Sequence, residues 1–336
     1  MTAPMPKLTV VDMHTGGEPV RIVTGGYPPI PSGTILEKRA WVRENLDHLR
    51  RLLMFEPRGH YDMYGALLVE PTLTGADLAV LFMHNEGYST MCGHAVIALG
   101  RYAVDRGIVP AVEPLTTVNI EAPCGLVVAS VEVKDGKAGA VSFESVPAFL
   151  FARDRTADLP GYGTVGFDMA YGGAFYALAD CRQFGLEFGR DRVRDFVDAA
   201  TALTEKLKAE FPLSHPDHAD LAFLYGTILT DGGDGSGRPT KNVCVFAEAE
   251  VDRSPTGSGV TARLAAMHGR GEIGIGETRT FESIVGSRFT GAVVRTTQAG
   301  EHQAIVARVG GRAFYSGTAE FTLEEDDDLG RGFLLK

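Results

Sequence analysis

The segment Cys92-Gly93-His94 opens a run of small and apolar residues, Ala95 to Ala98, of the kind that starts a helix. At a helix start the backbone N–H groups of Gly93 and His94 have no acceptor within the helix, and the macrodipole is positive there. Such a place holds an anion, and it stabilises a thiolate relative to a free thiol, whose pKa is about 8.5. Cys92 is therefore a candidate base, to be weighed against a packed, unreactive thiol. A second turn, Asp252-Arg-Ser-Pro-Thr-Gly-Ser-Gly259, offers the amides of Gly257 and Ser258 and the carboxylate of Asp252. Asp252 could pair with an amine or simply cap its own turn. If both helix ends face one cleft, a substrate carboxylate sits between two dipoles with Asp252 near its amine.

The two segments echo each other. A shift of 164 residues aligns Cys92 with Thr256, Gly93 with Gly257, Val96 with Val260, Ala98 with Ala262, Arg106-Gly107 with Arg270-Gly271, and Phe82 with Phe246. In each copy an apolar strand ends in Phe, and a small-residue turn then opens a helix of about four turns that stops at Arg-Gly, a common C-terminal signal. The chain reads as two similar lobes. Strands are expected at Leu8–Met13, Leu78–Met83, Leu126–Val133 and Ala304–Arg308, and amphipathic helices at Trp41–Met54 and Arg190–Phe211. The glycine- and aspartate-rich stretch 231–239 is a loop, and the acidic run 324–328 a solvated tail segment. Alternating strands and helices with 41 glycines make a mixed α/β (α+β) chain with many tight turns.

Composition narrows the partners. The 336 residues are 44% hydrophobic and 22% charged, with a net charge of −11, which argues against a nucleic-acid backbone or an anionic membrane as the main partner. Met1–Lys7 carries no signal-peptide pattern and no membrane-spanning run is present, so a cytoplasmic protein is expected. The four cysteines, Cys92, Cys124, Cys181 and Cys244, are too scattered for a disulfide scaffold, and no spacing matches a structural metal site. Cys124, Cys181 and Cys244 are read as structural. The stretch Gly269–Gly274 fits GxGxxG but follows a helix instead of a strand, so no dinucleotide site is expected. Lys241 has no companions that would hold pyridoxal phosphate. The turn His14-Thr-Gly-Gly-Glu-Pro19 is either a functional or a tight structural turn.

Taken together, Asp12-Met-His-Thr-Gly-Gly-Glu-Pro19, Met91-Cys-Gly-His-Ala95, Asp252-Arg-Ser-Pro-Thr-Gly-Ser-Gly259 and Glu282-Ser-Ile-Val-Gly-Ser287 resemble the proline racemase family along nearly the whole chain. The resemblance implies a diaminopimelate-epimerase-like fold: two pseudo-symmetric lobes, each a curved sheet around a central helix, with the site between them. The lobe carrying Cys92 is expected at 1–146 plus 312–336, and the lobe carrying Thr256 at 147–311. It further implies chemistry without a cofactor or metal at the α-carbon of a small imino acid, and a homodimer is compatible with it. By analogy the substrate carboxylate takes the amides of Gly93, His94, Gly257 and Ser258, Asp252 and the His94 ring hold the ring nitrogen, and Phe246 walls the ring. Racemases of the family place a cysteine on each side of the α-carbon, whereas the second position here is Thr256. A hydroxyl is too weak an acid to exchange roles with a thiolate near neutral pH. The Cys/Thr pair is similar to the branch of the family that dehydrates trans-3-hydroxylated L-proline to 1-pyrroline-2-carboxylate. A 4-hydroxyproline or proline epimerase and a non-catalytic imino-acid binding protein are the alternatives. Thr256 either orients the leaving hydroxyl or is a plain helix N-cap, and the group that protonates that hydroxyl is not readable from sequence.

Overall fold

The computed structural model describes residues 7–335. Residues 1–6, expected to carry no leader, and Lys336 lie outside the described residues. Among the described residues, eighteen strands are joined in one hydrogen-bonded network that closes on itself through pairing of the first strand, Leu8–Thr15, with the last, Ala313–Phe321.

The sequence echo appears as repeated topology. Strand Glu18–Gly25 runs parallel to Gly65–Val69, which is antiparallel to Leu78–Met83. That strand pairs antiparallel with Tyr88–Ser89 and parallel with Leu115–Ala122, and the latter pairs antiparallel with Gly125–Lys134. In the second half Phe175–Asp180, Leu224–Thr230, Thr240–Phe246, Glu250–Val251, Thr278–Glu282 and Arg288–Ala299 follow one another with the same senses. Between the fourth and fifth strands of each series lies one helix, Gly93–Asp105 or Gly257–Gly269. Both have thirteen residues and stop at Arg106 and Arg270, each followed by a glycine at positive φ. Strand His302–Gly311 stitches the halves together by pairing with both Lys137–Glu144 and Ala148–Leu159.

Both helices are apolar nearly all round, as they must be when enclosed by sheet. Leu78–Met83 is apolar at every position for a related reason. Leu78, Val80 and Phe82 point into the main core around the central helices, while Ala79, Leu81 and Met83 pack against a separate outer cluster. That outer cluster is built on the segment expected as one helix at Trp41–Met54. The structure has two helices here, Ile35–Asn45 and Asp47–Met54, broken at Leu46 with φ −125° and ψ 13°. The first starts earlier than its apolar spacing suggests because Thr34 and Glu37 form a reciprocal capping box. The other amphipathic helix spans Val193–Glu210, and the four expected strands are present, three of them slightly longer than their apolar cores. Among the described residues, no helix is long and apolar enough to cross a membrane.

Candidate active site

The two enclosed helices meet end to end. A Cβ built on Gly93 would lie 2.3 Å from the Gly257 Cα, and one on Gly257 would lie 2.6 Å from the Gly93 Cα. Only glycine at both positions lets the two N-termini touch. The first-turn amides of both helices therefore converge on one small, tightly lined cavity. All eight residues singled out from sequence line it: Cys92, Gly93, His94, Phe246, Asp252, Thr256, Gly257 and Ser258. Four residues that sequence reasoning missed, Tyr64, Met91, Tyr176 and Tyr225, complete the wall.

Cys92 is the N-cap of its helix, in extended conformation, and is 5% exposed. Its Sγ lies 3.2 Å from His94 Nδ1, while His94 Nε2 lies 3.2 Å from the Pro19 carbonyl oxygen. A carbonyl can only accept, so Nε2 carries the proton and Nδ1 turns its lone pair toward the cavity. Burial pushes the His94 pKa down, which keeps the ring neutral. Burial also pushes the Cys92 thiol well up, outweighing the Ala95 amide and the nearby Tyr64 hydroxyl, which lower it. The expectation of a thiolate favoured by the helix end thus meets an opposing effect: at this depth of burial the cost of desolvating the sulfur anion exceeds what the helix end returns.

Thr256 also occupies an N-cap position, but its side chain makes no capping hydrogen bond. Its φ of 65° is left-handed, an outlier for a β-branched residue, and its buried Oγ1 lies against the Cys244 thiol without a well-formed hydrogen bond among the described residues. The preceding loop imposes this conformation. Asp252 Oδ1 accepts from the Ser254 amide at 2.7 Å, Ser254 Oγ accepts from the Thr256 amide at 3.1 Å, and Asn242 Nδ2 donates to the Pro255 carbonyl at 3.1 Å. The N-cap alternative for Thr256 holds for its position and fails for its bonding. Cys244, read as structural, is fully buried beside it.

The turn at His14–Pro19 is a tight hairpin, Gly16 and Gly17 both having positive φ, and it braces the site from both sides. Thr15 Oγ1 donates to the His94 carbonyl at 2.8 Å, and Glu18 Oε2 accepts from the Arg253 amide at 2.7 Å. Burial, followed by the nearby Asp252, pushes the Glu18 carboxyl well up. Arg253 in turn reaches Asp62 at 2.8 Å. On the far wall the aromatic rings interlock: Tyr64 stands edge-on to His94 and Phe246, and Tyr225 lies against Phe246 and Tyr176. Tyr176 is tied to Ser258, with 2.7 Å between their hydroxyl oxygens. Among the described residues, no group of three or more His, Cys, Asp or Glu side chains is arranged to hold a metal ion.

Residues 10–334 match the proline racemase family. This chain belongs to the proline racemase family. Trans-L-3-hydroxyproline dehydratase of Xenopus tropicalis is 59% identical over 334 residues, covering 98% of this chain and 96% of that protein. Trans-3-hydroxy-L-proline dehydratase of Homo sapiens is 56% identical over 337 residues, 98% of this chain and 95% of the other. The crystal structure of a hydroxyproline epimerase from Agrobacterium vitis with bound trans-4-hydroxy-L-proline superimposes with a TM-score of 0.94 at 29% identity, covering 99% of this chain and 96% of that one. The α/β fold expected from the resemblance is therefore the fold of this proline racemase family member. The tyrosines that sequence reasoning missed carry no spacing signal, since Tyr64 and Tyr225 lie 161 residues apart and meet only in the folded chain.

Proposed function

We propose that this protein is a hydro-lyase that converts trans-3-hydroxy-L-proline to 1-pyrroline-2-carboxylate, with Cys92 as the base. The observation that carries the reading is the pairing of one thiol with one hydroxyl at two touching helix ends around a single cavity. The substrate carboxylate accepts from the amides of Gly93, His94, Gly257 and Ser258. The two hydrogens of the ring ammonium go to Asp252 and to the His94 Nδ1 lone pair, and Phe246 walls the ring. The bound ring ammonium supplies the positive charge beside Cys92 that the buried sulfur otherwise lacks, so Cys92 reacts as the thiolate: it removes the α-hydrogen, and negative charge builds on the α-carbon and its carboxylate, where the amides stabilise it. One such donor is typically worth about 2.7–4 kcal/mol. The electron pair then forms the bond to C3, the 3-hydroxyl leaves as water, and the enamine product tautomerises to the imine. Thr256 lacks the acidity to return a proton from the other side, which disfavours inversion.

The same reading divides the chain into a lobe of 1–146 plus 312–336 carrying Cys92 and a lobe of 147–311 carrying Thr256, supported by the repeated strand senses. It places the enzyme in the cytosol, where a reactive thiol stays reduced, and proposes a homodimer, which sedimentation would check. The deciding experiment incubates purified protein with trans-3-hydroxy-L-proline and follows imine formation alongside optical rotation. Imine formation is expected. Inversion without loss of water would point to an epimerase, and binding with neither reaction to a binding protein.

A further inference from the structure

The configuration of the proposed substrate locates its leaving group. In trans-3-hydroxy-L-proline the hydroxyl lies on the ring face opposite the carboxylate, and the α-hydrogen lies on that same face. Base and leaving group are therefore on one side of the ring, and the elimination is syn. Cys92 is the only thiol lining the cavity, so the face that presents the α-hydrogen to Cys92 presents the 3-hydroxyl to the Cys92 wall as well. Thr256, on the opposing helix end, faces the wrong side to protonate it.

Of the polar side chains that line the cavity, His94 and Tyr64 act directly on the Cys92 sulfur, and the Tyr225 hydroxyl stands behind that of Tyr64. His94 has no proton to give there, because its single N–H is committed to the Pro19 carbonyl. Tyr64 remains. Its ring is fully buried and packs edge-on to His94 at 4.9 Å, and its hydroxyl is a neighbour of the Cys92 sulfur. Two further hydroxyls surround the Tyr64 oxygen, Ser89 Oγ at 2.5 Å and Tyr225 OH at 3.4 Å. Burial and then the neighbouring Cys92 push the Tyr64 hydroxyl well up, so it keeps its proton until the transfer, while Ser89 and Tyr225 act the other way by bonding to a phenolate as it forms. Tyr176, by contrast, is bonded to Ser258 beside Thr256.

Building on the dehydratase reading, we infer that Tyr64 is the acid that protonates the departing 3-hydroxyl. The Cys92 thiolate takes the α-hydrogen and becomes a thiol, the Cα electron pair forms the Cα–C3 double bond, and the C3–O bond breaks as the Tyr64 proton passes to its oxygen. Water leaves. The thiol proton then moves to the adjacent phenolate, restoring thiolate and phenol with no outside donor.

The test removes only the hydroxyl, with Tyr64→Phe, and compares three reactions. General acid catalysis contributes about 10²–10⁴-fold, so water loss from trans-3-hydroxy-L-proline is expected to fall by at least about 10²-fold. Fluoride needs no proton to depart, so fluoride release from trans-3-fluoro-L-proline and α-deuterium exchange into L-proline in heavy water lose only the help the Tyr64 hydroxyl gives the Cys92 thiolate, and both should fall by at least about tenfold less than water loss does. Retained water loss would overturn the assignment, and so would an equal fall in all three reactions. A measurement on the unaltered enzyme stands apart from any folding defect: cis-3-hydroxy-L-proline, with its hydroxyl on the Thr256 side, should exchange its α-hydrogen without losing water. Water loss from the cis isomer at a comparable rate would also overturn it. Cys92→Ser is the separate arm for the base. If it keeps α-exchange, the underlying reading fails whatever Tyr64→Phe does.

Discussion

Gly93→Ala is the sharpest probe of the touching helix ends. The new methyl would stand 2.3 Å from the Gly257 Cα, 2.7 Å from its carbonyl carbon and 2.9 Å from the Ser258 nitrogen. All three are backbone atoms and cannot rotate away. Carbon atoms rest about 3.5–4.0 Å apart, so the two N-termini must separate by about 1 Å. The residues that move are those whose amides form the cradle, and a misplacement of about 1 Å can cost on the order of 10²-fold in rate. Losing one well-aimed donor costs about 2.7–4 kcal/mol, on the order of 10²- to 10³-fold. The expected fall in kcat/KM for dehydration is therefore about 10²- to 10³-fold, with weaker binding of L-proline by calorimetry. Stability gives a second readout of opposite sign. Glycine to alanine in a helix normally gains up to about 1 kcal/mol, whereas overpacking costs about 1–3 kcal/mol, so urea denaturation should show a net loss. Gly237→Ala, in an exposed loop with no atom within 4 Å of its added methyl, should leave both quantities unchanged. A Gly93→Ala enzyme that is stabilised and keeps kcat/KM within about threefold of wild type would refute the idea that two abutting helix ends form the carboxylate cradle.

Cys92→Ser should lower dehydration by about 10²–10⁴-fold, the usual worth of a general base, with unchanged circular dichroism; near-normal turnover removes the base assignment. Thr256→Cys should let the enzyme invert the α-carbon of proline or 4-hydroxyproline, followed by polarimetry. A folded variant without inversion counts against opposed proton carriers. Glu18 supplies a pH test: its folded pKa lies above the ordinary 4.5 because of burial and Asp252, so the folded state holds the extra proton. Its contribution is complete below the unfolded value and is lost as pH rises through the folded one. Glu18→Gln keeps an acceptor for the Arg253 amide and cannot ionise, so its stability relative to wild type should grow as pH rises above the ordinary 4.5 in urea titrations; a difference that stays flat would show that Glu18 does not hold its proton.

The repeat and the two helices were legible because they rest on local signals: small residues that open a helix, Arg-Gly that ends it, and period-2 apolar strands; that the eight expected residues share one cavity followed from these helix ends together with the family resemblance. The break at Leu46 was not, because the 3.6-residue spacing runs straight through it and the capping box at Thr34 moves the start by several residues. The protonation state of Cys92 escapes the sequence for a different reason. A helix end is visible in sequence, whereas the depth of burial that opposes it depends on Tyr64, Tyr176, Tyr225 and Phe246 arriving from four separate strands or loops. The left-handed backbone of Thr256 had no signature either, since threonine is among the residues least expected there.

That backbone bears on how one scaffold separates two reactions. The strain at residue 256 is held by Asp252, Ser254 and Asn242, none of which depends on the side chain at 256 itself. Whatever stands there is delivered to the same wall of the cavity, and only its acidity differs. On the proposed mechanism, once Cys92 has removed the α-hydrogen, the carbanion is either protonated from the opposite side or expels a group from C3. On that mechanism a thiol at 256 would make the first path fast, and a hydroxyl would make it slow enough for the second to win. The two outcomes are therefore a competition from one intermediate. Thr256→Cys should not only allow inversion but also divert trans-3-hydroxy-L-proline from the imine, so that the ratio of inverted to dehydrated product rises as imine formation falls. Inversion gained with no loss of imine would mean that the two products do not share that intermediate, and that residue 256 does not select between them.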